Sequence, residues 1–147
     1  MEARAFDLQR FVDAQAPVYA RAVAELRAGR KRSHWMWFIF PQIRGLGYSA
    51  TARRFAIRSL AEARAYLQHP LLGPRLEECT RLVLAVPGSS VGEIFGYPDD
   101  LKFRSCMTLF CVTEKESAKQ SGVFQQALEK YFAGEPDEAT LGELRAQ

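Results

Sequence analysis

The chain has 147 residues, of which 48% are hydrophobic and 25% charged, and its formal net charge is +3. This length suits one domain with a core large enough to fold without staples, and the composition excludes a disordered chain. The small basic excess argues against nucleic acid as a partner, and Cys79, Cys106 and Cys111, lacking framework or metal-pair spacing, read as reduced, inert thiols.

Residues 1–15 are interrupted by Glu2, Arg4, Asp7, Arg10 and Asp13, so no signal-peptide core is expected there. No stretch approaches the roughly 20 apolar residues of a membrane span. A cytoplasmic location without a membrane partner is the expectation. Phe6, Leu8, Phe11 and Val12 predict a first helix with Asp7 as its N-cap. Pro17 suits a first turn, and Val18, Tyr19, Ala22, Val23 and Leu26 predict an amphipathic helix over 17–28. Gly29 is its expected C′ residue. The basic run Arg27, Arg30, Lys31 and Arg32 falls where the helix dipole favours positive charge.

Residues 33–49 hold both tryptophans, a histidine, a proline and two closely spaced glycines, and they read as the centre of the fold. The apolar run 34–40 is too short to separate strand from helix. Pro41 ends it, and Gly45 and Gly47 mark a sharply turning loop. Ser49 is expected to cap a helix over 50–57. Ser59 and Glu62 form a capping-box pattern for the next helix, which Pro70 closes. Pro74 opens a helix whose buried stripe is Leu76, Cys79, Val83 and Leu84. Residues 86–90 read as a loop, and Ser90 with Glu93 makes a second capping box.

Residues 97–100 carry turn chemistry. The helix predicted over 101–112 is apolar on several sides, so it should be central and largely buried. Residues 114–122 read as a polar, mobile loop. Val123, Phe124, Ala127, Leu128, Tyr131 and Phe132 predict a helix closed by Gly134. A last short helix is capped by Thr140 or by Asp137. Residues 82–86 and the aromatic run are the strand candidates, so the expectation is an all-α domain of about seven or eight short helices.

Three strings carry a family resemblance: Ser-His-Trp-Met-Trp-Phe-Ile-Phe-Pro-Gln at 33–42, Gly-Leu-Gly at 45–47, and Asp-Asp-Leu-Lys-Phe-Arg-Ser-Cys-Met-Thr-Leu-Phe at 99–110. They resemble the bacterial family known as domain of unknown function 1810. Ala-Tyr-Leu-Gln-His-Pro-Leu-Leu-Gly-Pro-Arg-Leu at 65–76, Ile-Phe-Gly at 94–96 and Gly-Glu-Pro-Asp-Glu-Ala-Thr-Leu at 134–141 extend the resemblance over residues 6–144. Some members carry the label calpastatin, which is disregarded. The resemblance implies a single all-helical domain and no particular activity. Cys106 departs from the pattern, which has a second serine after Ser105.

The polar exceptions within apolar surroundings fall in two segments. His34, Trp35, Trp37, Gln42, Arg44 and Gly45 belong to the first, and Lys102 and Ser105 to the second. A cleft between them is expected to bind a small anionic or aromatic, nucleotide-like ligand, or a protein partner. Arg44 and Lys102 would hold negative charge, the indoles would stack, and Gln42 would fix orientation. Each has a bland alternative: core packing for the indoles, backbone fixing for His34, an ion pair with Asp99, Asp100 or Glu93 for Lys102. A hydrolase or transferase would use His34 as general base, oriented by Asp100; a third reading is a protein-interaction module. No cofactor is implied. No metal is expected either, because the two histidines are far apart and no ligand spacing occurs. His69, before Pro70, reads as a helix C-terminal residue.

Overall fold

Prolines, glycines and cap residues break the apolar pattern at short intervals, and short helices follow. In a computed structural model, which describes residues 6–117 and 120–147, ten helices form. They are α1 Gln9–Gln15, α2 Tyr19–Arg27, α3 Met36–Ile39, α4 Ala50–Arg54, α5 Leu60–Gln68, α6 Leu72–Ala85, α7 Val91–Phe95, α8 Asp99–Lys115, α9 Val123–Phe132 and α10 Glu138–Arg145. The fold is all-α, with more helices than the seven or eight expected. The strand candidate at 82–86 is instead the last turn of α6, and the aromatic run makes the single turn of α3. One isolated parallel bridge joins Ile43 to Ile57.

Local cap chemistry sets four of these ten helix starts. Ser49 accepts from the Ala52 N–H, Ser59 from Glu62, and Asp137 from Thr140. Asp137 therefore wins the last cap over Thr140. Ser90 and Glu93 complete a reciprocal capping box. Gly29, at φ +79°, closes α2: its N–H bonds Leu26 O at 3.0 Å and that of Arg30 bonds Glu25 O at 3.0 Å, the paired bonds of a Schellman turn.

Other expectations give way to long-range contacts. Asp7 caps nothing with its side chain; Leu8 is the N-cap of α1, and the Asp7 carbonyl accepts from Arg10. Glu62 does not reach back to Ser59. Its carboxylate takes the Arg58 N–H at 2.7 Å and the Arg10 guanidinium at 3.0 Å. Arg10 also donates to the carbonyls of Arg54 at 2.7 Å and Ala56 at 2.8 Å. The chain thus leaves α4 at Arg54 rather than at 57. Just beyond, the Ile57 N–H bonds Gln42 O at 2.8 Å, and Arg44 N–H bonds Ile57 O at 2.9 Å.

At the far end of α5, His69 is the C-cap. Its ring also caps the next helix, Nδ1 accepting the N–H groups of Leu71 and Leu72 at 3.1 and 3.2 Å. The expected loop over 114–122 is partly helix, because α8 runs on to Lys115. The buried Glu114 carboxylate then accepts from Ser121 and from the Gly122 N–H, tying down the approach to α9; residues 118 and 119 of that loop lie outside the described residues.

The long helix α8 is the axis of the core, packed by α5, α7, α9 and α10. Phe103, Cys106, Met107, Leu109 and Phe110 are fully enclosed on it. Phe40, from the aromatic run, sets its ring edge-on to Phe95 and to Phe103, which stack on each other at 4.8 Å. Burying one such ring stabilises the fold by about 1.5–3 kcal/mol, so the aromatic run is chiefly an anchor. All three thiols are buried and free. Burial pushes Cys79 up to about 12 and raises Cys106 and Cys111 as well.

Candidate functional site

Residues 31–37 are held in place before they can line anything. Glu25, on α2, accepts from the N–H groups of Arg32 at 2.8 Å and Ser33 at 3.0 Å, from the Ser33 hydroxyl, and from the Trp35 indole N–H at 2.9 Å. Burial opposes its charge, but the hydrogen bonds from Ser33, Arg32 and Trp35 outweigh it and hold the carboxyl down at about 2. On the other side the Lys31 N–H bonds Ile94 O of α7 at 2.7 Å. The segment after the Gly29 turn is thus clamped between α2 and α7, beside the start of α8.

A hollow of about 290 Å³ opens there, with Lys31, His34, Trp37, Thr51, Asp99 and Lys102 in its wall. Its polar centre is the Asp99 carboxylate. Oδ2 takes the Lys31 ammonium at 2.7 Å and Oδ1 takes Lys102 at 3.1 Å. The side chains are 9, 18 and 23% exposed for Lys31, Asp99 and Lys102. Burial disfavours the Asp99 charge, yet the hydrogen bonds and charges of the two lysines lower its pKa below the ordinary carboxylate value. Each ammonium also lies over an indole: Lys31 over Trp35 at 5.2 Å and Lys102 over Trp37 at 4.3 Å.

The Trp37 ring is backed by the glycine loop. A Cβ on Gly47 would stand 2.8 Å from its Cη2 and 2.7 Å from Ala52 Cβ, so the loop approaches as closely as it does only because residue 47 has no side chain.

Of the residues read from the sequence, His34, Trp35, Trp37 and Lys102 share this hollow. His34 is exposed, and among the described residues no carboxylate pairs with it. Asp100, its expected partner, accepts instead from the Leu101 N–H at 2.9 Å. Trp35 is only 1% exposed and is committed to Glu25, so one indole, not two, offers surface.

Gln42, Arg44, Gly45 and Ser105 do not line the hollow. Gln42 is buried in the segment that bridges to Ile57, and its Nε2 has no partner among the described residues. Arg44 is exposed, and Gly45 backs onto Glu143 of α10. Ser105 bonds Leu101 O and the Asp137 carboxylate, so it belongs to the seam between α8 and the start of α10.

Sequence reasoning missed Lys31, hidden in a basic run that helix polarity already explained. The i, i+3 spacing of Asp99 and Lys102 was the signal available for the pair.

A larger hollow of about 840 Å³ lies between α5, α6 and the end of α8, with Arg64, His69, Arg81 and Glu114 in its wall. Two of its acceptors are already engaged, His69 Nδ1 by two backbone N–H groups and Glu114 by Ser121 and Gly122. Ser117 and Gln120, which flank residues 118 and 119, also line it. The smaller hollow, with two largely buried ammoniums on one carboxylate, is the candidate site. Among the described residues no three His, Cys, Asp or Glu side chains gather as metal ligands, and no helix is long and apolar enough to cross a membrane.

A family model described as "Protein of unknown function (DUF1810)" matches residues 5–144. The chain is also similar to a solved structure, that of the conserved hypothetical protein Rv1873 from Mycobacterium tuberculosis. The two are 58% identical with a TM-score of 0.92, over 97% of this chain and 99% of that one. No curated protein matches the chain.

Proposed function

The chain belongs to DUF1810, a family of unknown function, and from that premise we propose that it binds a small ligand through an anionic group held by Lys31 and Lys102 beside Trp37. The observation that carries this reading is the pair of ammonium groups in one half-buried wall. Each spends one of its three N–H donors on Asp99. Both lysines line a hollow whose volume suits a small head group with a planar or short apolar body.

A catalytic version of the same site would need an orienting group for His34, and Asp100 is turned to its own helix. A version in which a protein partner supplies the anion has one observation in its favour. Tyr48 and Tyr97, 78 and 81% exposed, stand in the chain close to Ser49 and Asp99 of the wall.

Thermal denaturation against a panel of nucleotides, sugar phosphates and aromatic acids tests the reading. A compound at a hundredfold excess over its Kd adds about 2.7 kcal/mol. For a chain of this size that raises Tm by roughly 5–10 °C. The shift is expected in the native protein and lost in a Lys31→Ala, Lys102→Ala double variant. If no anionic compound shifts the native protein, or the double variant shifts equally, the reading falls.

A further inference from the structure

We infer that Asp99 sets the charge of the anion this hollow accepts, selecting a singly charged head group such as a carboxylate, sulfonate or phosphodiester over a doubly charged phosphate monoester. The inference rests on the ligand-binding reading above and adds the chemical class. It starts from a count of charge. Lys31 and Lys102 supply two positive charges and Asp99 one negative, so the wall carries one net positive charge.

Asp99 is not a loose counter-ion that an arriving anion would displace. Each of its oxygens is taken by a different lysine, at 2.7 and 3.1 Å, and none of the three side chains is more than a quarter exposed. An anion must therefore bind alongside Asp99, using the N–H donors that the two ammoniums have left.

A singly charged head group then brings the wall to neutrality. A doubly charged one is drawn more strongly by the net positive wall, but its desolvation cost grows with the square of its charge. With Asp99 holding part of the lysine charge, the half-buried wall does not repay that cost. The lysines cannot rotate away freely to compensate. Lys102 is seated over the Trp37 ring at 4.3 Å, and Lys31 over Trp35 at 5.2 Å. Among the other charged groups nearby, His34 lines the hollow, whereas Asp100 and Glu93 do not. The unrepaid desolvation of the second charge is expected to cost roughly tenfold in affinity.

Benzenesulfonate and phenyl phosphate test this, because they share a ring and a tetrahedral head group and differ in charge. The second ionisation of the phosphate falls near pH 6, so it is doubly charged at pH 8 and singly charged at pH 5. Affinity is read from the Trp37 indole resonance. The native protein at pH 8 is expected to bind benzenesulfonate about tenfold more tightly than phenyl phosphate, and Asp99→Asn to erase or reverse that preference.

A second measurement needs no variant. In the native protein phenyl phosphate is expected to tighten about tenfold from pH 8 to pH 5, relative to benzenesulfonate measured at the same two pH values. Binding of both probes with equal preference in native protein and Asp99→Asn, or with no relative gain at pH 5, overturns the role of Asp99 and leaves the site standing. If neither probe moves the Trp37 resonance at either pH, the binding reading fails and takes this inference with it.

Discussion

Among the described residues, opposite charges pair largely out of solvent in two places, and they are treated in two ways. Around Arg10 the guanidinium is enclosed and almost wholly spent: it meets Glu62, the carbonyls of Arg54, Ala56 and Asp7, and the face of Phe11. Around Asp99 the charges are as close, but two ammoniums share one carboxylate and a hollow opens beside them. The first arrangement is a closed knot that joins α1, the end of α4 and the start of α5. The second holds cationic donors in reserve. The number of donors left over, rather than burial or the presence of an ion pair, separates a structural cluster from a candidate site.

That contrast can be broken by mutation. Arg10→Ala leaves Glu62, 1% exposed, as an unpaired buried carboxylate, and is expected to lose about 3–5 kcal/mol in urea denaturation. A loss under 1 kcal/mol would mean that the knot is not structural. Glu25→Gln removes the charge that organises residues 32–35 and is expected to lose about 2–3 kcal/mol by the same measurement.

Glu25 also fixes the sign of an acid response. Its carboxyl is held at about 2 in the fold against an ordinary 4.5. The stabilisation is therefore complete above 4.5 and disappears as pH falls toward about 2. Between those values the native protein should lose stability more steeply than Glu25→Gln. Parallel profiles would contradict the assignment.

Gly47→Ala sets a methyl group against the Trp37 ring and Ala52, and about 1–2 kcal/mol of destabilisation is expected. A changed Trp37 fluorescence spectrum should accompany it. Smallest in stability is Lys102→Ala, under about 1 kcal/mol, because Lys31 keeps Asp99 paired. It should nevertheless weaken any anion that shifts the native Tm, whereas a conservative substitution on the exposed face of α9 should not.

The sequence made the helical class legible through rules that act within a few residues. Ser49, Ser90, Asp137 and Gly29 do in the fold what their spacing announces. Where a side chain serves a distant segment, those rules mislead. Glu62 sits in a capping-box pattern, yet its carboxylate answers Arg10, fifty-two positions away. The site was half legible for the same reason. His34, Trp35 and Trp37 are delivered by one short turn, so proximity in sequence survives as proximity in space. Gln42, Arg44 and Gly45 lie beyond Pro41, where the chain turns toward Ile57 and α10. No local pattern marks Lys31 as the lysine that meets Asp99, because the contact depends on how α2, α7 and α8 come together.

The sulfur atoms offer a further use. Cys79 and Cys106 sit in the middle of α6 and α8 with no exposed surface, and Cys111 is scarcely more open. Nucleophilic attack needs a thiolate at the surface, and here burial suppresses both ionisation and access. Alkylating reagents should therefore modify the chain only as fast as the helices around α8 come apart. The three positions become built-in clocks for opening of the native state, readable by mass without any added label.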